Sequence, residues 1–161
     1  MKMEDFENSR EAAHDYSLRQ ATQADVELMF RLQHLDGKDI DYSDEEQQAK
    51  YKKYEEEFDS DKIEVIEHNS HAVGRLRIVR GDSIYIGGLQ ILPEFRGQGI
   101  GTAVVKNLIL EAEETQLPIE LEVRHNNNVA IHLYEKLGFE VVDEDNIQKI
   151  MRYQPNTKKT V

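Results

Sequence analysis

Hydrophobic and polar positions change period several times along the chain, and the changes mark out its elements. "YSLRQA", residues 16–21, reads as a short strand. "TQADVELMFRLQHL" follows with Leu28, Leu32 and Leu35 at helical spacing, Thr22 as N-cap and Asp25 three residues on. "YSDEEQQAKYKKYEEEF" repeats that logic: Ser43 and Glu46 take capping-box positions, Tyr51, Tyr54 and Phe58 share a side, and the acidic, lysine-rich remainder is a solvated face. The period then turns extended. "KIEVIEH" and "AVGRLRIVRG" are β-branched runs split by Asn69 and Ser70, a hairpin signal, and Gly81-Asp82 marks the turn before "SIYIGGLQIL". Three consecutive antiparallel strands are therefore predicted. After Pro93, Ile100, Val104, Leu108 and Ala112 step by four along a helical stripe. "PIELEV" puts Ile119, Leu121 and Val123 on one strand face and Glu120 and Glu122 on the other. A shorter helix at about 127–137 carries Ala130, Leu133, Tyr134 and Leu137 on one side and stops at Gly138, and "FEVVDEDNIQKIMRYQ" reads as strand, acidic turn, strand.

That order predicts an α/β (α+β) fold: one mixed sheet of about seven strands with about four helices, and a parallel pair formed across the 94–118 crossover. At 161 residues a single core is expected, spanning 16–155, with 1–15 as a polar flexible tail and 156–161 as a second tail. No run approaches the roughly 18 apolar residues of a membrane span. The N-terminal stretch lacks the apolar centre of a secretory signal, and the chain has no cysteine, so disulfides, thiolate metal sites and a cysteine nucleophile are excluded. These readings fit a cytoplasmic protein. The net charge of −12, from 32 acidic and 20 basic residues, disfavours a nucleic-acid partner and favours cationic ones such as amines.

The chemistry concentrates in "LQILPEFRGQGIGTAVV", 89–105, where three of nine glycines alternate at a strand-to-helix corner. Glycine there admits backbone conformations closed to other residues, and the amides that follow are the unpaired donors of a helix N-terminus, suited to phosphate. Arg96 adds a positive charge for the same ligand. The spacing is not that of a Walker loop, since Gly101 is followed by Thr102 and no Lys, and the dinucleotide fingerprint fails because its last position falls on Thr102. No metal-ligand spacing links the histidines, and no Gly-x-Ser-x-Gly elbow exists.

"RGQGIG" at 96–101, together with "NNVAIHLYEKLGFE" at 127–140, resembles the GNAT superfamily of N-acetyltransferases. The resemblance implies acetyl-CoA as co-substrate, with no metal, and a parallel central strand pair splayed at the cofactor site. It implies that Arg96, Gly97, Gln98, Gly99, Ile100, Gly101 and Thr102 line the diphosphate. Leu89, Gln90 and Ile91 would pair main chain with pantetheine, an amide near Leu89 or Gln90 would polarise the thioester carbonyl, and Gly87-Gly88 would supply a bulge. Asn127 maps beside coenzyme A, and Tyr134 onto the acid that protonates the departing thiolate. Glu122, with Glu120, His125 or a water relay as alternatives, would take the proton of the ammonium. The expected activity is transfer of acetyl to a primary amine of a small molecule or protein, in a ternary complex and with a homodimer among the expected assemblies. A non-catalytic acyl-CoA-binding or regulatory module is the alternative.

Overall fold

The computed structural model describes residues 16–157; the expected N-terminal tail, and residues 158–161 of the C-terminal one, lie outside the described residues. The strands are β1 (Tyr16–Gln20), β2 (Ile63–His68), β3 (His71–Arg80), β4 (Ile84–Ile91), β5 (Ile119–Arg124), β6 (Glu140–Glu144) and β7 (Gln148–Tyr153). The helices are α1 (Val26–His34), α2 (Glu45–Glu57), α3 (Ile100–Thr115) and α4 (Asn128–Lys136). The strands form one seven-stranded sheet in the order β1-β2-β3-β4-β5-β7-β6. Among the described residues no helix is long and apolar enough to cross a membrane. The described residues form two compact units, one of residues 16–78 and 88–101, the other of 79–87 and 102–157.

In the first unit, β1 and β2 pair antiparallel, Leu18 opposite Ile66, and β2 returns into β3 with Val65 opposite Arg75. The turn between them places both Asn69 (φ 51°) and Ser70 (φ 66°) in the left-handed region. That conformation twists a two-residue hairpin in the sense its strands require. α1 buries Met29, Phe30 and Leu32, with Met29 and Leu32 in one cluster with Ile63 and Val65. The Thr22 signal holds, but its first turn, Gln23–Asp25, is a 3-10 turn, with the Thr22 amide donating to Asp25 Oδ2 at 2.8 Å. The second cap differs from expectation. Asp44, not Ser43, caps α2, its carboxylate accepting from the amides of Glu46 and Gln47, while the Ser43 hydroxyl donates to Asp41. An ionised carboxylate facing two amides at the positive end of a helix outcompetes a neutral hydroxyl. Tyr51 and Tyr54 meet Phe30 edge-on, at 5.2 and 5.4 Å between ring centres, as the shared side of Tyr51, Tyr54 and Phe58 predicts.

In the second unit β4 runs parallel to β5, Ile84 opposite Ile119 and Ile86 opposite Leu121. β7 pairs antiparallel with β5 on one side and with β6 on the other, so the last strand of the chain inserts between its predecessors. The expected stripe of α3 is buried at Val104, Leu108 and Ala112, and Ile119, Leu121 and Val123 are buried on β5. On α4 the buried side runs through Ile131 and Tyr134 to Leu137, with Ala130 at its margin. Gly138, at φ +98°, ends that helix: its amide bonds Glu135 O, the Phe139 amide bonds Tyr134 O, and the Phe139 ring packs on Tyr134 at 5.3 Å. This is the glycine-terminated double closure with its apolar contact.

The Arg19 guanidinium grips Asp25 through two hydrogen bonds, 2.8 and 2.9 Å. Those bonds first, and the Thr22 amide after them, hold the Asp25 carboxyl below its ordinary range. A depressed carboxylate stabilises the fold above its unfolded value near 3.9 and loses that contribution as pH falls. Asp25→Ala is therefore expected to cost about 1–2 kcal/mol at neutral pH. Denaturant melts should show the difference shrinking below about pH 4; a difference constant into strong acid contradicts the assignment.

Candidate active site

Within the first unit the end of β4 leads into the glycine corner. The Leu92 amide bonds Val73 O at 2.8 Å, Pro93–Phe95 make a 3-10 turn, and Arg96 follows in extended backbone. Gly97 (φ +78°) and Gly99 (φ +82°) both lie in the left-handed region, and a Cβ built on either meets no atom within 4 Å. These two glycines are therefore required by backbone conformation and not by a tight helix-to-sheet contact. Gly101 differs: its φ is ordinary and a Cβ there would touch Ile91 Cγ1 at 3.8 Å, an unstrained contact. Residues 96–99 are exposed and Ile100 is buried as α3 begins.

Arg96 does not stand as an uncommitted charge. Its Nε donates to Ile91 O at 2.9 Å, and its Nη2 pairs with Asp36 on the loop after α1. That hydrogen bond first, and the Arg96 charge after it, lower the Asp36 carboxyl below its ordinary range. The loop is positioned by its own features: Asp36 (φ 53°) and Gly37 (φ 83°) are left-handed, and Arg31 donates to Gly37 O and Lys38 O at 2.7 and 3.1 Å. A Cβ on Gly37 would come within 2.8 Å of Leu92 Cδ2, so the loop lies directly on the entry to the glycine corner.

The sequence assigned Gly88 a bulge. In the structure a Cβ on Gly88 would lie 2.5 Å from Arg75 Nη1, so glycine clears the path of that side chain. Arg75 is 3% exposed and bonds Gln90 Oε1 at 3.0 Å. Sequence reasoning passed over Arg75 because "GRLRIVR" reads as a strand with arginines alternating to solvent. The one signal was that Val65 and Arg75 occupy facing positions of a hairpin whose Val65 face must be covered.

In the second unit Glu120 is held by Arg152, whose Nε and Nη2 reach Glu120 Oε1 at 3.0 and 2.9 Å. Glu122 is exposed and accepts from Gln148 Nε2 at 3.0 Å. Two strand positions that sequence treats alike thus differ, one neutralised by a guanidinium and one hydrogen-bonded to an amide. The His125 Nε2 sits 2.6 Å from Asp145 O, tying the ring to the β6–β7 turn. Asn127 caps α4, its Oδ1 accepting from the Ala130 amide at 3.2 Å. Tyr134 is 9% exposed, and burial pushes its hydroxyl up to about 12. Thr102 lies in the first turn of α3.

Residues 27–139 match the model of the acetyltransferase (GNAT) family, and the chain belongs to that family. An acetyltransferase of Pectobacterium atrosepticum is 40% identical over 65 residues, 40% of this chain and 44% of that protein. The chain thus matches less than half the length of that curated relative. Among solved structures, the PaiA N-acetyltransferase of Thermoplasma acidophilum in complex with coenzyme A is similar over 86% of this chain and 98% of its own, with a TM-score of 0.62 at 18% identity. The ribosomal-protein-S18-alanine N-acetyltransferase of Escherichia coli is similar over 89% and 96%, at 0.63 and 18%. At these identities the likeness is one of fold.

Gly97→Ala and Gly99→Ala should each destabilise by about 1 kcal/mol, because alanine is strained at those φ values, while Gly101→Ala should be neutral or stabilising. Equal effects at all three positions, read from denaturant midpoints, would contradict a conformational requirement confined to the first two.

Proposed function

We propose that the protein is an acetyl-CoA-dependent N-acetyltransferase acting on a primary amine by direct attack within a ternary complex. The observation that carries this reading is the corner at 96–101: two consecutive-but-one glycines in left-handed backbone, free of neighbours, at the start of α3 in a chain of the GNAT family. Amides of Gly97 to Thr102 hold the diphosphate, and Leu89, Gln90 and Ile91 pair main chain with the pantetheine arm. The coenzyme A bound in the similar PaiA N-acetyltransferase supports acetyl-CoA as the donor. Residues 16–155 form the acetyltransferase domain. A cytoplasmic location and a homodimer belong to the same reading, as does an acceptor that is not nucleic acid.

The amine is mostly protonated near neutral pH, so one proton must leave before attack. Glu122 is the base we assign, directly or through water, because Glu120 is already paired with Arg152. The neutral nitrogen then attacks the thioester carbon, the C–S bond breaks, an amide forms and the second nitrogen proton is lost. The sulfur leaves as thiolate and takes up a proton. A phenol near 12 is a weaker acid than a thiol near 8.5, so Tyr134 steadies the departing sulfur chiefly as a hydrogen-bond donor rather than surrendering its proton outright.

Purified protein should release free thiol from acetyl-CoA in the presence of a suitable amine, and Gly99→Val should remove coenzyme A binding. Tight binding with no thiol release across a broad amine panel would instead establish the non-catalytic module. Tyr134→Phe is expected to lower kcat about 10- to 100-fold with little change in KM. Since Tyr134 stays protonated far into the alkaline range, wild-type kcat should show no falling limb between roughly pH 8 and 10. A limb there that vanishes in Tyr134→Phe would show Tyr134 giving up its proton and overturn the role of a donor that keeps it. Asp36 competes with phosphate for Arg96, so Asp36→Asn should tighten coenzyme A binding by about two- to fivefold in calorimetry; weaker binding would show that the Asp36 pairing preorganises the loop.

A further inference from the structure

Among the described residues, no carboxylate pairs with Arg75. Its guanidinium is almost wholly buried, its Nε has no hydrogen-bond partner, and the carbonyl of the Gln90 side chain is the neutral group it bonds. The Tyr54 hydroxyl lies beside it, also buried, and interacts with the guanidinium without reaching full hydrogen-bond geometry. Neither carboxylate of β2 pairs with it. Glu64 stands opposite Leu76, so it alternates to the other sheet face, and Glu67 pairs with Arg19. The groups that do face this spot are cationic or neutral: Arg77 acts on both Arg75 and Tyr54, and Arg75 and Lys50 act on His34. His34 is held below its ordinary range, first by partial burial and then by those two charges.

Burying a guanidinium is costly unless an anion and hydrogen bonds compensate it. Two buried polar atoms side by side, an Nε donor and a hydroxyl, neither with a full hydrogen bond, match the two oxygens of a carboxylate. We propose that Arg75 and Tyr54 form a carboxylate-binding subsite, and that the acceptor is a small zwitterion of the amino-acid class, carrying both a primary amine and a carboxylate. The proposal rests on the acetyltransferase reading for its placement. Gln90, to which Arg75 is bonded, is a residue whose main chain that reading sets beside the thioester, so one small molecule spans from the guanidinium to the reacting carbon. α2 supplies Tyr54 to the subsite and has no fully buried residue of its own. Gly88 serves the subsite by leaving the guanidinium room beside β4.

The test pairs amino acids with their amides and with the corresponding decarboxylated amines in the thiol-release assay. Free acids should be used about 10- to 100-fold better in kcat/KM. Arg75→Met should collapse that ratio to near one, through KM more than kcat, while leaving Tm equal to or above that of wild type, because an uncompensated buried charge has been removed. A merely structural arginine would instead lower Tm and leave the ratio intact, which overturns the proposal, as does equal use of acids and amides. Should Arg75→Met fail to fold, Arg75→Lys, which keeps the charge and loses the fork, must still reduce the ratio. A second arm compares succinyl-CoA with acetyl-CoA: an Arg75-dependent preference for the former assigns the carboxylate to the donor and keeps the subsite. If no amine is acetylated, the enzyme reading fails alone, and thermal protection decides this one. N-acetylated amino acids protecting wild type but not Arg75→Met support the subsite, and protection of neither overturns it.

Discussion

The left-handed backbone at Gly97 and Gly99 is the constraint on which the rest of the account depends. A residue with a Cβ would resist those dihedrals, and without them the chain leaving β4 could not follow its path through the exposed loop into α3. The requirement is conformational: nothing crowds either position. Around this corner the first unit is organised to hold the loop still. The Leu92 amide anchors its entry to β3, Ile100 buries its exit, and Arg96 ties its middle to both the end of β4 and the loop after α1.

The side chains assigned to the site in the proposed function each have a structural duty as well. Arg96 carries the charge that suits a phosphate and also the pairing that fixes the Asp36 loop. Asn127 caps a helix, and Tyr134 packs on Phe139 within the closure of the same helix. Their structural tasks are complete in the fold as it stands, so any chemistry they perform is added to side chains already immobilised by packing. That is the condition under which a positioned donor acts without reorganisation.

The elements of the fold were legible because their signals are local. Alternation in "PIELEV", the stripe in α3, the Asn69-Ser70 hairpin and the stop at Gly138 each depend on residues within a turn or two. The glycine corner was legible for the same reason. What the sequence hid depends on pairing across distance. Glu120 and Glu122 look equivalent until β7 places Arg152 beside the first and Gln148 beside the second. Arg75 looks solvent-facing until the β2–β3 register sets it on the covered face. Ser43 looked like a cap because the pattern cannot weigh it against an adjacent aspartate, and the stronger acceptor took the helix end.

The most direct measurement is an amide-resolved NMR titration of the protein with coenzyme A. The account predicts that the backbone amides of Gly97, Gln98, Gly99, Ile100, Gly101 and Thr102 shift together, saturably and more than amides elsewhere, and that 3′-phosphate removal leaves those shifts largely in place. Saturable binding that leaves these amides unmoved, or no binding at all, would contradict it.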